Sequence, residues 1–331
     1  IDVINMSVGE PDFMTPGFIK EAGKKAIDDN YSKYSPVPGY PVLREAIARK
    51  LKRENGLDYA ASEIIVGTGG KQGVCNAILA LVNPGDEVVI PAPYWVSYPQ
   101  MVKLAGGTPV IVPAGIGQDF KITAAQLEAA VTPKTKLVIL CSPSNPTGSV
   151  YSEEELGELA KVVLAHDDLF VLSDEIYEHI NYIGGHSSIA ACPGMRERTV
   201  VCNGVSKAYA MTGWRLGWVA APEWIVKGLG KLQGQYTSGT SSVSQMAAVA
   251  AYEGDQSCVE TFRETFRRRR DLIVSLAKDI PGLEVNVPQG AFYLFPDCSA
   301  FFGKKDGRRT IGSSTDLALY LLEEGHVATV G

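Results

Sequence analysis

Residues 203–218 read NGVSKAYAMTGWRLGW, with strand-like TVVC (199–202) before them and VAAP (219–222) after. The stretch holds one lysine, Lys207, and one arginine, Arg215, in a run that is otherwise apolar, aromatic or small. Lysine is almost never fully buried unless paired. A lysine between two segments destined for a core is therefore either compensated or chemically employed.

Outward from this stretch, short apolar runs alternate with helical patterns. EIIV (63–66) leads through GTGGKQG (67–73) into the helical VCNAILALV (74–82). EVVIPAP (87–93), TPVIVPA (108–114), TKLVILCSP (135–143) and FVLS (170–173) read as further strands, and EEELGELAKVVLAHDD (153–168) as a helix. This alternation indicates an α/β domain with a mostly parallel sheet covered on both faces. At 331 residues the chain exceeds what one core supports, which predicts a large domain over 17–280 and a smaller unit from 1–16 and 281–331. After PG (281–282) come LEVNVP (283–288), GAFYLF (290–295), the helical TDLALYLLEEG (315–325) and HVATV (326–330), an α+β pattern. It stops at Gly331 before a sheet of this kind is covered, so the smaller unit reads as truncated and the chain as part of a longer product. The helix around SCVETFRETFRRRRDLIVSLAK (257–278) carries the only dense basic run and reads as a solvated face.

A net charge of −6 excludes the broad basic footprint of a nucleic-acid binder. No run approaches eighteen apolar residues, which excludes a membrane-spanning helix, and the first residues lack a secretory plan. Six scattered cysteines without a CxxC pair suit free thiols in a reducing compartment, so a cytoplasmic location is expected. Four histidines without HExxH spacing predict no metal site.

In an open parallel sheet, ligands bind beyond the carboxyl ends of the strands. Five strand exits carry polar or aromatic residues: GTGGKQG; Tyr94 and Trp95; Asn145 to Gly148; Asp174, Glu175 and Tyr177; Ser206 and Lys207. GTGGKQG fails both nucleotide motifs, since Gln72 stands where Walker A needs Ser or Thr and where GxGxxG needs its last glycine. Taken singly, it is a tight turn or an anion cradle at a helix start, and SDEIYEH and SNPTG are a strand exit and a turn.

One ligand satisfies all of these features together: pyridoxal 5'-phosphate, whose protein signature is a Schiff-base lysine with an aspartate at the pyridinium nitrogen. Lys207 supplies the amine, Asp174 the pyridinium partner, Trp95 a stacking face, and Asn145 and Tyr177 hydrogen bonds to the phenolic oxygen. Gly69, Gly70, Ser206 and Arg215 can surround the phosphate, arginine being suited to two-point contact.

The sequence resembles the class I and II aminotransferases of fold type I, on the aspartate aminotransferase side. The resemblance rests on SVGEPDF (7–13), KYSPVPGYPVLREAIA (33–48), GTGGKQ (67–72), PYWVSYP (93–99), SPSNPTG (142–148), VLSDEIYE (171–178), NGVSKAYAMTGWRLGW and QGAFYLF (289–295), in family order over nearly the whole chain. It implies a mostly parallel seven-stranded sheet flanked by helices. It also implies a homodimer with shared active sites, in which Tyr34 reaches the neighbouring subunit's cofactor phosphate. Gly9, Trp95 and Asn145 would lie on the substrate side, Gly9 near the α-carboxylate. Lys71, beside the cofactor, would meet the distal carboxylate of a dicarboxylic substrate. The implied reaction moves an amino group between aspartate or glutamate and a 2-oxo acid (2-oxoglutarate, oxaloacetate or prephenate), with Lys207, Asp174 and Tyr177 as catalytic residues. The family's α-carboxylate arginine would lie beyond Gly331, so the resemblance too implies a fragment of a longer enzyme. The same cofactor shell serves lyases, synthases and aromatic or alanine-type aminotransferases. A non-catalytic regulatory domain and a nicotinamide dehydrogenase fit the residues less well.

Overall fold

The structure is a computed structural model describing residues 2–307 and 309–331. Its first half runs β1 (Ile4–Asn5), α1 (Gly17–Asp28), α2 (Pro41–Lys50), β2 (Ile64–Gly67), α3 (Gly70–Leu81), β3 (Glu87–Ala92), α4 (Ser97–Leu104), β4 (Thr108–Pro113), α5 (Ala124–Ala130) and β5 (Thr135–Cys141). There follow α6 (Glu153–Leu164), β6 (Phe170–Asp174), β7 (Thr199–Gly204), β8 (Gly217–Ala220), α7 (Glu223–Tyr236), α8 (Ser242–Glu253), α9 (Ser257–Lys278), α10 (Ser314–Glu324) and β9 (Val327–Ala328).

Seven strands form one sheet in the order β2-β8-β7-β6-β5-β3-β4. Only β8 runs against its neighbours; the rest are mutually parallel. Every residue of β2, β7 and β8 is buried, as expected of apolar strands covered on both faces. Ile19, Leu43, Ile47 and Trp218 pack on one side, bringing α1 and α2 onto the sheet. Val74, Ile78, Val102 and Leu229 bring α3, α4 and α7 onto the other.

The reversed strand explains the spacing of Lys207 and Arg215. Strand β7 leaves the sheet at Gly204 and β8 re-enters at Gly217, directly opposite it. Both charged residues therefore sit on the loop at one sheet edge, the edge at which β2, β3, β5 and β6 also end. Gly217 is required there because a Cβ would stand 2.3 Å from the Gly70 nitrogen. Its bare backbone lets the start of α3 approach the β7–β8 loop.

Apart from the seven-stranded sheet, β1 pairs in parallel with β9, and α10 forms as its pattern predicts. The runs LEVNVP and GAFYLF do not become strands; they contribute only isolated bridges, Glu284 with Asp297 and Gly290 with Asn181. Ala291 takes φ +55°, which ends an extended run. The segment instead docks on the loops that follow β5 and β6: Gln289 N–H donates to Gly148 O (2.8 Å), Ala291 N–H to Ile180 O (2.7 Å), and Tyr182 N–H to Gln289 O (2.8 Å). Along α9, Arg267 pairs with Glu264, while Arg269 reaches Asp12 and Arg270 the carbonyl of Pro288. All six cysteines are free. No described helix is long and apolar enough to cross a membrane.

Candidate active site

Strand β6 ends in Asp174, whose carboxylate is buried. Tyr98, on the inner face of α4, donates its hydroxyl to Asp174 Oδ2 (2.7 Å), and Ile176 N–H approaches Oδ1 at 3.3 Å. Burial pushes the Asp174 carboxyl up to about 6, against these two donors. Three residues on, the buried Tyr177 hydroxyl meets that of Tyr293 at 2.5 Å. Asn145 Nδ2 reaches the same Tyr293 oxygen at 3.4 Å. Asn145 and Tyr177, from different strand exits, thus converge on one point.

Lys207 projects from the turn after β7. Its Nζ donates to the Gly9 carbonyl and lies 5.7 and 5.6 Å from the ring centroids of Tyr177 and Phe292. Among the described residues no carboxylate forms an ion pair with it. Burial, reinforced by Arg215, lowers its pKa to about 8, against the pull of Glu10 and Asp174. The amine is therefore far more available as a free base near neutrality than an ordinary lysine.

The phosphate-cradle candidates also come together. Gly69 precedes α3 with φ +83°, and a Cβ on it would stand 2.5 Å from Arg215 Nη2. The guanidinium can lie against the helix start only because this residue is glycine. Arg215 Nη1 donates to Thr212 O (2.9 Å), leaving other donors on a fork designed by geometry for oxyanions. It borders a cleft of about 670 Å³ with Thr68, Trp214 and Thr240. Gly70 opens α3, so its amide belongs to the positive end of the helix. Ser206 is buried one residue before Lys207.

Lys71 is exposed, with Nζ 4.9 Å from the Trp95 ring centroid; Trp95 in turn stands edge-on to Tyr98 at 5.3 Å. Gly9 lies under Tyr293, whose hydroxyl a Cβ would meet at 2.4 Å. Tyr34 is 98% exposed and makes no side-chain hydrogen bond among the described residues.

Two residues of this constellation escaped the sequence reading. Tyr98 stands three positions after Trp95, the spacing of one helix face, which could have flagged it. Tyr293 sits in QGAFYLF, where its hydroxyl gave no local signal.

The sequence model of the family "aminotransferase class I and II" matches residues 1–331. The chain belongs to the class I and II aminotransferases. This aminotransferase is 50% identical over 336 residues to the bifunctional aspartate aminotransferase and glutamate/aspartate-prephenate aminotransferase of Petunia hybrida, covering 100% of the chain and 70% of the relative. It is 50% identical to the aspartate/prephenate aminotransferase of Cereibacter sphaeroides (99% of the chain, 83% of the relative). Among solved structures it matches an aspartate aminotransferase from Rhizobium meliloti at TM-score 0.96 and 45% identity, covering 99% of this chain and 82% of that one. It also matches the Thermus thermophilus aspartate aminotransferase solved with maleate at TM-score 0.93 and 40% identity (99% and 83%).

The aminotransferase is a pyridoxal-phosphate enzyme. Its residues fit that group: a buried carboxyl at a strand end, a lysine of lowered pKa without an ion-pair partner among the described residues, and a guanidinium seated on a glycine at a helix start.

Proposed function

We propose that this aminotransferase exchanges amino groups between dicarboxylic amino acids, aspartate and glutamate, and 2-oxo acids, including 2-oxoglutarate, oxaloacetate and prephenate. The observation that carries the acidic substrate is Lys71, an exposed cation held beside Trp95 with no ion-pair partner among the described residues. A carboxylate on the substrate's far end would complete it. The Petunia and Cereibacter relatives carry names for the same substrate class, and the Thermus structure was solved with maleate, a dicarboxylate.

When bound, pyridoxal phosphate supplies an aldehyde for amine exchange and a ring that accepts the electron pair of the substrate α-carbon. The chain's residues do the rest. Lys207, whose amine is more available as the free base than an ordinary lysine's, would hold the aldehyde end and would move a proton at the substrate α-carbon. Asp174 holds the proton on the ring nitrogen, Tyr98 holding Asp174 in turn. Asn145 and Tyr177 donate to the phenolic oxygen, and Trp95 offers its face to the ring. Gly69, Gly70, Ser206 and Arg215 bind the phosphate, while Gly9 lies against the substrate α-carboxylate. These groups belong to a large domain over 17–280, apart from Gly9 of the smaller unit formed by 1–16 and 281–331. Tyr34, projecting freely, suits a homodimer in which it completes the partner's phosphate site.

The visible spectrum of the purified holoenzyme tests this. Aspartate should shift its band, 2-oxoglutarate should restore it, and borohydride should fix label on Lys207. Label on another side chain, or no response to aspartate, overturns the reading.

A further inference from the structure

The turn that carries Asp174 and Tyr177 has a second face. Glu175 and Glu178 alternate with them along 174–178 and point away from the site into the protein, where both are buried. Glu175 accepts from Ser173 Oγ (2.8 Å) and Ser188 Oγ (2.6 Å) and meets His186 Nε2 at 2.9 Å. Glu178 takes Lys50 Nζ on one oxygen and Asn55 Nδ2 on the other (2.7 Å), and Lys50 also donates to Asn55 Oδ1 (2.8 Å). Lys50 is fully buried at the end of α2, and Asn55 closes the π-helical turn Leu51–Asn55 that follows. Burial alone would raise the Glu178 carboxyl; Lys50 beside it wins and holds it well below the usual carboxylate range.

The acids and histidines here, Glu54, Glu178 and His179 on one side and Glu175, Glu178 and His186 on the other, lie close enough to hold a cation. The Lys50 ammonium, salt-bridged to both Glu178 and Glu54, already supplies that charge. Nor is stability a sufficient reason for the pair, since replacing a buried ion pair by apolar groups is often neutral or stabilising. What this pair forms is a closed cross-link, with Lys50, Asn55 and Glu178 each bonded to the other two.

The geometry points to Lys50, Asn55 and Glu178 as positioning residues: a clamp that fixes the 174–178 turn from behind and so sets where Asp174 and Tyr177 meet the cofactor. The clamp spans 128 residues of sequence and ties the end of α2 to the exit of β6. This inference rests on the functional reading above, because it concerns how well the cofactor is held.

The test is the double variant Lys50→Met/Glu178→Gln, which removes both charges of the pair together while Glu54 keeps Arg53 and His179. Its cofactor-free form should melt near the wild-type temperature. Its cofactor dissociation constant should rise about tenfold, equivalent to about 1.4 kcal/mol, and the visible circular dichroism induced in the bound cofactor should fall. Asn55→Ala, which loosens the clamp while leaving the ion pair, should move both readouts the same way by less. A purely structural pair would shift the melting temperature and leave both cofactor readouts at wild-type values; that result overturns the inference. Wild-type protein that takes up no cofactor overturns the functional reading together with the clamp. Normal uptake with variants indistinguishable from wild type overturns the clamp alone.

Discussion

Two lysines are withdrawn from water around one turn of this enzyme, and their surroundings are opposite. Behind the turn, Lys50 is fully buried and faces Glu178, Glu54 and Asn55. In front of it, Lys207 has a backbone carbonyl and two aromatic rings for company, and no carboxylate pairs with it among the described residues. Burial opposes the charged form at both. At Lys50 the fold answers with counter-charges and obtains a rigid joint. At Lys207 the answer is left incomplete, and the amine's proton becomes loosely held. The same side chain is architecture in one place and a reagent in the other, and the neighbours decide which.

The sharpest way to break this contrast is Lys207→Ala. Loss of the proton carrier should cost at least roughly 10²–10⁴-fold in turnover, measured as 2-oxo acid formed from aspartate, while the melting temperature of the cofactor-free protein holds. Retained turnover would make Lys207 another structural lysine. Lys50→Met should strike stability first, leaving the buried Glu178 without its cation and costing about 3–5 kcal/mol by denaturant unfolding, with cofactor affinity falling as well.

The acids on the two faces should carry opposite pH signatures. Asp174, raised to about 6 in the folded chain, contributes stability that is present below its ordinary value near 3.8 and lost as pH rises through 6. Asp174→Asn should therefore stabilise the cofactor-free protein by about 3 kcal/mol at pH 7 and by little at pH 4, even as it impairs catalysis. Glu178, held low, contributes above its ordinary value near 4.5, and that contribution is lost on acidification. Unfolding curves of Asp174→Asn at the two pH values would decide. An equal change at both would mean that Asp174 is not held protonated by burial. The smallest effect is expected at Lys71→Ala, which should lower kcat/KM for aspartate about 10- to 100-fold and leave alanine unaffected. Equal losses for both substrates would remove the carboxylate role.

Much of the front face was legible in the sequence because a parallel sheet delivers its exits to one edge. Once strands ending at Gly67, Cys141, Asp174 and Gly204 are recognised, the convergence of Gly69, Asn145, Asp174 and Lys207 follows from topology alone. The back face was not legible. Glu175 and Glu178 look like surface acids in SDEIYEH, and nothing near Lys50 in LREAIARK announces a partner 128 residues away. Tyr98 was hidden for a related reason: its bond to Asp174 depends on how α4 is rotated against the sheet. GAFYLF, an unbroken apolar and aromatic run in the α+β pattern, forms no strand because its backbone turns to positive φ at Ala291.

The hairpin-like return from β7 to β8 has one more effect. Both ends of the 205–216 loop are pinned to adjacent strands, Gly204 opposite Gly217, so the segment that carries Lys207 and Arg215 is anchored at its two roots. With the roles proposed above, Lys207 at the aldehyde and Arg215 at the phosphate, the two grips on the coenzyme share that one anchored segment. An analogue lengthened by a methylene between ring and phosphate should therefore bind less tightly than the natural coenzyme.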